Sequence, residues 1–450
     1  MTTYKYWIQI LMLTFSCLSV WGDFQQDRPN IVFILGDDQH WSDYGFMGSK
    51  DVNTPHLDAL AEMSLTFKRG YVAAPICRPS LASMATGLFP HQHGITGNDA
   101  YKNEDRAKLD LPFRQAFHQK STFIKELVKR GYWAHQSGKW WEGSYQDGGF
   151  THGMTHGDPR RGGRHGDAGL KIGRKGLKPI TDFVEHAQKE KKPFVLWYAP
   201  FLPHTPHNPP ERLLKKYRKE GRPLDQAKYY AMCEWFDETC GELLEYLDKS
   251  NLRENTLVVF TCDNGWSTAS SNKNDPNQKL FRSYAQRTKG SPYEGGTRNP
   301  ILLSWPSRIT PGDCPDLAHA VDLFPTIISA VGGGVPAGLP GINLLDAQAR
   351  TNRKTVFGTT HATHNMTLGN PDDTLQYIWC VQGDWKLIKR YRGKDVSSHY
   401  SALHTWDTAD FHLYNLEEDP NELNDLAGSL PQRVKRMSAM IEQWRKDTKG

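Results

Sequence analysis

The chain has 450 residues, enough for about three domains of ~150 residues, or two if one is a large α/β unit. Charged residues at 23% and aromatic residues at 11% exclude a disordered chain, and a chain this long needs no disulfide framework to bury a core. A formal net charge of +5 is too mild for a dedicated nucleic-acid binder, so no nucleic-acid partner is expected; it agrees with an anionic substrate.

At the N-terminus, Lys5 precedes an apolar run over 7–20, and Val20-Trp21-Gly22 leads into Asp23. This is the pattern of a secretory signal peptide over 1–22, and it predicts export to the periplasm or the medium. The run of about 14 residues falls short of the ~20 that span a bilayer, and no other stretch qualifies, so no transmembrane segment is expected. Beyond Cys17, six cysteines remain at irregular spacings that match neither a zinc site nor a disulfide framework.

Short apolar runs rich in β-branched and aromatic residues follow at 31–35, 132–135, 194–198, 257–261 and 301–305. Each reads as a buried strand. Helical patterns separate them. Thr54-Pro55 opens one with an N-cap and a first-turn proline, 123–130 is another stopped by Gly131, and Ala231, Met232, Trp235, Leu243, Leu244 and Leu247 form the core stripe of a third. Alternating strands and helices predict an α/β fold, a large, predominantly parallel or mixed sheet flanked by helices. Residues 143–178 read as a loop-rich insertion in that first domain. From about 355 the texture changes: 376–381 and 385–389 form a hairpin through Gly383-Asp384, 411–415 an edge strand, and 431–445 a helix. The expected organisation is a catalytic domain over 23–350 and a smaller α+β domain with a short antiparallel sheet over 351–450.

In open α/β sheets, chemistry sits beyond the carboxyl ends of the strands. The first strand ends in Asp37-Asp38-Gln39 and a later one in Asp263-Asn264-Gly265. Each alone is an ordinary turn sequence; together, at corresponding strand ends, they supply hard oxygen ligands for a divalent cation. In the segment 76–87, Pro79 suits the first turn of a helix and Gly87 its end, which sets Cys77 just before the helix N-terminus. That position favours negative charge on a nucleophile or a substrate, although by itself the residue is better explained as a small buried cysteine.

Cys77-Arg78-Pro79-Ser80 followed by Thr86-Gly87 resembles the signature of type I sulfatases, members of the alkaline-phosphatase-like superfamily. Further motifs resemble the family's in the same order: Asp37-Asp38-Gln39, Gly138-Lys139-Trp140, Pro203-His204-Thr205-Pro206, Asp263-Asn264-Gly265, the run from Lys289 to Arg298, and Leu413-Tyr414-Asn415 with the acidic residues after it. The resemblance implies sulfate-ester hydrolysis. Cys77 would be converted to formylglycine by a formylglycine-generating or anaerobic sulfatase-maturing enzyme. Asp37, Asp38, Asp263, Asn264 and residue 77 would hold calcium, with magnesium as the alternative. Lys139 and Lys289 would offset charge on the sulfuryl oxygens, and His204 would serve the leaving oxygen.

Two positions depart from the family pattern. Leu81 replaces an arginine four residues after the cysteine, and Trp141 replaces a histidine two residues after the lysine. They keep two rivals open: a phosphoester or phosphonate hydrolase of the same superfamily, and a non-catalytic binder of sulfated glycans. Several features favour a sulfated carbohydrate over other sulfate esters. A basic stretch carries Arg160, Arg161, Arg164, Lys171, Arg174 and Lys175, and His361 and His364 match a rim region of glycan-directed relatives. Arg298 is a further substrate-binding candidate. His91, His93, His152, His156 and His165 lie in glycine-bearing stretches able to fold back over the site, although a surface or packing role is the simpler account of each.

Overall fold

The computed structural model describes residues 28–100, 106–157, 168–266, 287–362, 366–391 and 409–449. The signal-peptide reading, Arg160, Arg161, Arg164, His165 and His364 therefore lie outside the described residues.

Eight strands form the main sheet: β1 (Asn30–Gly36), β2 (Leu65–Phe67), β3 (Trp133–Gly138), β4 (His152–Gly153), β5 (Phe194–Ala199), β6 (Thr256–Cys262), β7 (Ile301–Ser304) and β8 (Gly312–Asp313). Their spatial order is β4-β3-β5-β1-β6-β7-β2-β8. From β4 through β6 every neighbour is parallel, whereas β7 runs antiparallel to both β6 and β2. The sheet is therefore mixed at one side. All seven residues of β1 are buried, as they must be in a parallel strand covered on both faces.

Period-2 alternation divides the core. Ile31, Phe33 and Leu35 pack with α2 (Cys77–Thr86), α3 (Phe123–Lys129) and α6 (Leu323–Ala330). Val32 and Ile34 face α1 (Pro55–Glu62), α4 (Lys178–Lys189) and α5 (Leu224–Lys249). Thr54 is the N-cap residue of α1 and Pro55 its first, as read, but the Thr54 hydroxyl makes no capping bond; it donates to Asp58 at 2.9 Å and accepts from the Gly45 amide. Gly131 ends α3 with a φ of +87°, the left-handed conformation glycine adopts without strain.

The second sheet is antiparallel, in the order β9 (Thr355–His361), β10 (Leu375–Gln382), β11 (Trp385–Arg390), β12 (Phe411–Asn415). One face packs Ile378, Leu387 and Leu413 against Met437, Ile441 and Trp444 of α7 (Pro431–Thr448). Its other face, with Trp379 and Tyr414, packs against Tyr71 and Tyr293 of the larger unit. A buried Lys386 crosses this junction to Glu294 at 2.9 Å. The six described cysteines are buried and free.

Candidate active site

Four adjacent parallel strands end at one edge, and each delivers a residue there. The register pairs Gly36 of β1 with Cys262 of β6, so Asp37-Asp38 and Asp263-Asn264 leave the sheet side by side. Gly138 of β3 pairs with Ala199 of β5, which places Lys139 next to the loop carrying His204. Glycine is required at 138, because a Cβ there would lie 1.7 Å from the Ala199 carbonyl oxygen. Gly265 is equally constrained, with its Cβ position 1.6 Å from the Gly295 carbonyl oxygen. Asp38 itself sits at φ +64°, a left-handed strain of the kind that collects at functional sites.

The fifth contribution comes from α2. Cys77 is its first residue, one position inside the helix rather than just before it, and Gly87 closes it at φ +67°. Burial above all pushes the Cys77 thiol up to about 12, with Lys139 and Lys289 pulling the other way. At neutral pH the unmodified side chain is therefore a protonated thiol, a weak nucleophile.

The charges interlock. Lys139 Nζ donates to Asp37 Oδ1 at 2.5 Å and to Asp263 Oδ2 at 3.0 Å. Lys289 Nζ reaches Asp38 Oδ1 at 2.5 Å and the Cys77 sulfur at 3.0 Å. Asn264 Nδ2 donates to Asp38 Oδ1 at 2.7 Å, and the Asp38 amide to Asp263 Oδ1 at 3.2 Å. Burial opposes ionisation of Asp38, but Lys289, His204 and Lys139 outweigh it and hold the carboxyl below its usual range. Burial also opposes the Lys139 ammonium, and Asp263 and Asp37 keep it charged.

Three buried carboxylates thus face two ammonium groups and remain one negative charge out of balance. Asp263 registers the excess, pushed up to about 7 by burial and then by Asp37. Asp37 Oδ2 and Asn264 Oδ1 are buried without a hydrogen-bond partner. Ligand atoms of Asp37, Asp38, Cys77 and His204 all lie within 4.8 Å of one another. Unpaired hard oxygens beside uncompensated charge fit a calcium or magnesium ion. Of the expected metal set, Asp37, Asp38 and Cys77 fall within this group of ligand atoms, and His204 joins them; Asp263 and Asn264 adjoin it through the Asp38 amide and carboxylate.

His204 stacks on Phe201 with ring centroids 4.2 Å apart. Its Nδ1 lies 2.6 Å from the Thr205 carbonyl, to which it donates, so Nε2 is the nitrogen turned to the cluster, 3.5 Å from Asp38 Oδ2. Burial lowers its pKa, against the pull of Asp38 and Asp37. The two departures from the family pattern are both in apolar surroundings. Leu81 is buried in the core that contains α2, and Trp141 lies with its ring centroid 5.9 Å from Lys139 Nζ. The Phe201 ring stands 5.6 Å from the same ammonium, so aromatic faces flank the lysine.

The other candidates are engaged in contacts of their own. His361 is buried, its Nδ1 3.3 Å from the Thr374 hydroxyl, and burial followed by His91 lowers it to about 3, so it is neutral. Arg298 lies 4.2 Å over the Trp41 ring and donates to the Lys68 carbonyl. Arg174 bridges Phe201 and Asn208, at 3.1 and 2.7 Å, and so braces the loop that holds His204. His91, His93 and His152 take packing roles, the simpler of the two accounts of each. His91 bonds Thr448 at 2.9 Å, His93 bonds Ser83 at 3.0 Å, and His152 packs on Trp133 at the sheet edge.

One pair escaped the sequence reading. Arg78, next to Cys77 and wholly buried, makes a bidentate ion pair with Glu142 at 2.7 and 2.9 Å and also reaches Asp110. It ties the start of α2 to the segment carrying Lys139. The available signal was a charged residue inside an otherwise apolar and small-residue helix, which demands a buried acid somewhere.

The comparisons with known proteins agree with this geometry. The profile of the family described as Sulfatase matches residues 29–333. The chain is 26% identical to human arylsulfatase A, covering 92% of this chain and 87% of that protein. It is 27% identical to human N-acetylgalactosamine-6-sulfatase, covering 92% and 85%. Its fold matches that of Ps i-CgsB, solved in complex with k-i-k-neocarrahexaose, with a TM-score of 0.72, 24% identity and 94% of each chain covered. A second match, solved with its substrate D-glucosamine-2-N,6-O-disulfate, has a TM-score of 0.68 and 19% identity over 94% of this chain and 98% of that one. With the profile spanning most of the α/β unit, this chain belongs to the sulfatase family and is a sulfuric ester hydrolase.

Proposed function

We propose that the protein hydrolyses sulfate esters of carbohydrates, with residue 77 matured to formylglycine and calcium held by Asp37, Asp38, Asp263 and Asn264. The observation that carries this reading is the contact of Lys289 with both residue 77 and Asp38, beside carboxylates one charge out of balance. An anionic sulfuryl group placed there meets two ammonium groups held by buried carboxylates. The cation would supply Lewis-acid polarisation of a sulfate oxygen, and the matured side chain a hydrated aldehyde as nucleophile. The high pKa of the unmodified thiol supports maturation over direct attack by a thiolate.

The chain's own residues then divide the work. Lys139 and Lys289 hold fixed positive charge where negative charge develops on the sulfuryl oxygens. The Thr205 carbonyl holds the proton on Nδ1, so His204 presents Nε2 to the leaving oxygen and donates to it from the imidazolium form. His204→Ala is expected to lower kcat about 10²-fold or more on sugar sulfates, whose alkoxide leaves poorly, and far less on nitrophenyl sulfate. Equal losses on both substrates would remove His204 from that role. The carbohydrate preference is supported by the ligands of the solved relatives and by the export signal read at 1–22. Export itself is tested by N-terminal sequencing of the mature protein, expected to begin at Asp23.

Parallel assays on matched sulfate and phosphate esters, joined to peptide mass spectrometry across residue 77, test the whole reading. Sulfate turnover with an aldehyde at 77 is the expected result. Preferred phosphate turnover would reassign the chemistry, and an unmodified thiol with no turnover in protein from the native host would identify a binding relic.

A further inference from the structure

A cavity of about 560 Å³ lies beside the catalytic centre, walled by Trp41, Asp43, Gln226, Tyr229, Tyr230 and Trp266 among others. Both arms that carry the metal-site residues run straight into it. Trp41 lies three residues beyond Asp38, and Trp266 two beyond Asn264. The contacts are direct as well. The Trp266 carbonyl accepts from the Lys289 amide at 3.0 Å, and the Tyr229 hydroxyl accepts from the His40 amide at 3.0 Å while donating to Asp43 at 2.8 Å. The Tyr229 ring is 5.6 Å from His207, in the loop that holds His204. The cavity therefore lies on the same side of the sheet edge as the leaving-group histidine.

Its chemistry differs from that of the catalytic centre. Aromatic walls with a few amide and carboxyl groups suit a ring that has both C–H faces and hydroxyls, and the volume is in the range of small-ligand sites. The charged groups on the wall are Asp43, Asp51 and Lys50, with Asp51 paired to Arg222 at 2.5 Å. Among the described lining residues there is no surplus of positive charge, and a second sulfate or a uronate would meet Asp43.

We propose that this cavity is a subsite for an uncharged sugar residue adjacent to the one that bears the scissile sulfate. The inference rests on the carbohydrate-sulfatase reading above and narrows it to glycans in which the sulfated unit has a neutral neighbour. Tyr230, joined to Gln226 by a 2.9 Å hydrogen bond, forms the wall on α5, remote in sequence from the catalytic residues.

The test compares two trisaccharides that carry the same terminal sulfate, one with an uncharged neighbour and one whose neighbour is also sulfated. Wild type is expected to show a KM at least about fivefold lower for the uncharged neighbour. Gln226→Trp, which fills the cavity, is expected to erase that difference and leave nitrophenyl sulfate turnover within about twofold; Tyr230→Ala serves if that variant does not fold. Equal KM values in wild type, or a preference that survives filling, overturn the subsite while sulfatase activity stands. If no sulfate ester is turned over, the parent reading has failed instead. Calorimetric binding of the same two trisaccharides then decides the subsite, tighter binding of the uncharged-neighbour compound supporting it and equal binding overturning it.

Discussion

Lys289→Ala is expected to lower kcat by about 10²–10³-fold, the scale of a removed oxyanion donor, with a smaller change in KM. The ammonium touches residue 77, the proposed nucleophile, and the Asp38 carboxylate, a proposed metal ligand, at 3.0 and 2.5 Å, in a fully buried position. Its charge is therefore unscreened by water and directed at the place where sulfuryl charge grows. Lys139→Ala is expected to cost a similar factor in kcat and more in stability, because it frees two buried carboxylates, Asp37 and Asp263, rather than one. Lys289→Arg should not restore the rate, since a planar fork does not fill the place of a compact point charge. Steady-state kinetics on nitrophenyl sulfate check this, and a Lys289→Ala enzyme within about threefold of wild type would remove the lysine from the mechanism.

Arg78→Met should give a large stability change, about 3–5 kcal/mol in denaturant unfolding. The Arg78 side chain is 0% exposed and its partner Glu142 only 4%, so the single substitution strands a buried carboxylate. Asp110 loses less, because Arg114 remains 3.5 Å away. Arg78→Met combined with Glu142→Met should recover most of the loss, since replacing both partners of a buried pair by apolar groups is often near neutral. A single variant as stable as wild type would show that the pair contributes nothing. Turnover should fall with stability in the single variant, because Glu142 follows Lys139 by three residues and the pair holds that segment against the start of α2.

The strand positions were legible because a buried parallel strand is a short unbroken apolar run, and 31–35, 194–198 and 257–261 fall within β1, β5 and β6. Direction was not. The run at 301–305 reads the same either way along the chain, and only pairing with β6 and β2 shows that β7 enters antiparallel. The two-residue strand β8 carries too little pattern to be read at all.

For the site, the sequence by itself determined the chemistry-bearing set: carboxylates at two strand ends, a cysteine opening a helix bounded by Pro79 and Gly87, and two lysines in glycine-bearing motifs. The carboxylates and the cysteine are local signals, set by backbone rules at turns and helix ends, and they survive without knowledge of the fold; the two lysines were marked by the resemblance to the sulfatase motifs. Tertiary structure alone decided which charges meet. It set Lys139 across Asp37 and Asp263, aimed Lys289 at residue 77, buried His361 as a neutral side chain, and paired Arg78 with Glu142 64 positions away. Pairings of this kind depend on strand order and on which groups are removed from water, and neither is written in the spacing of residues along the chain.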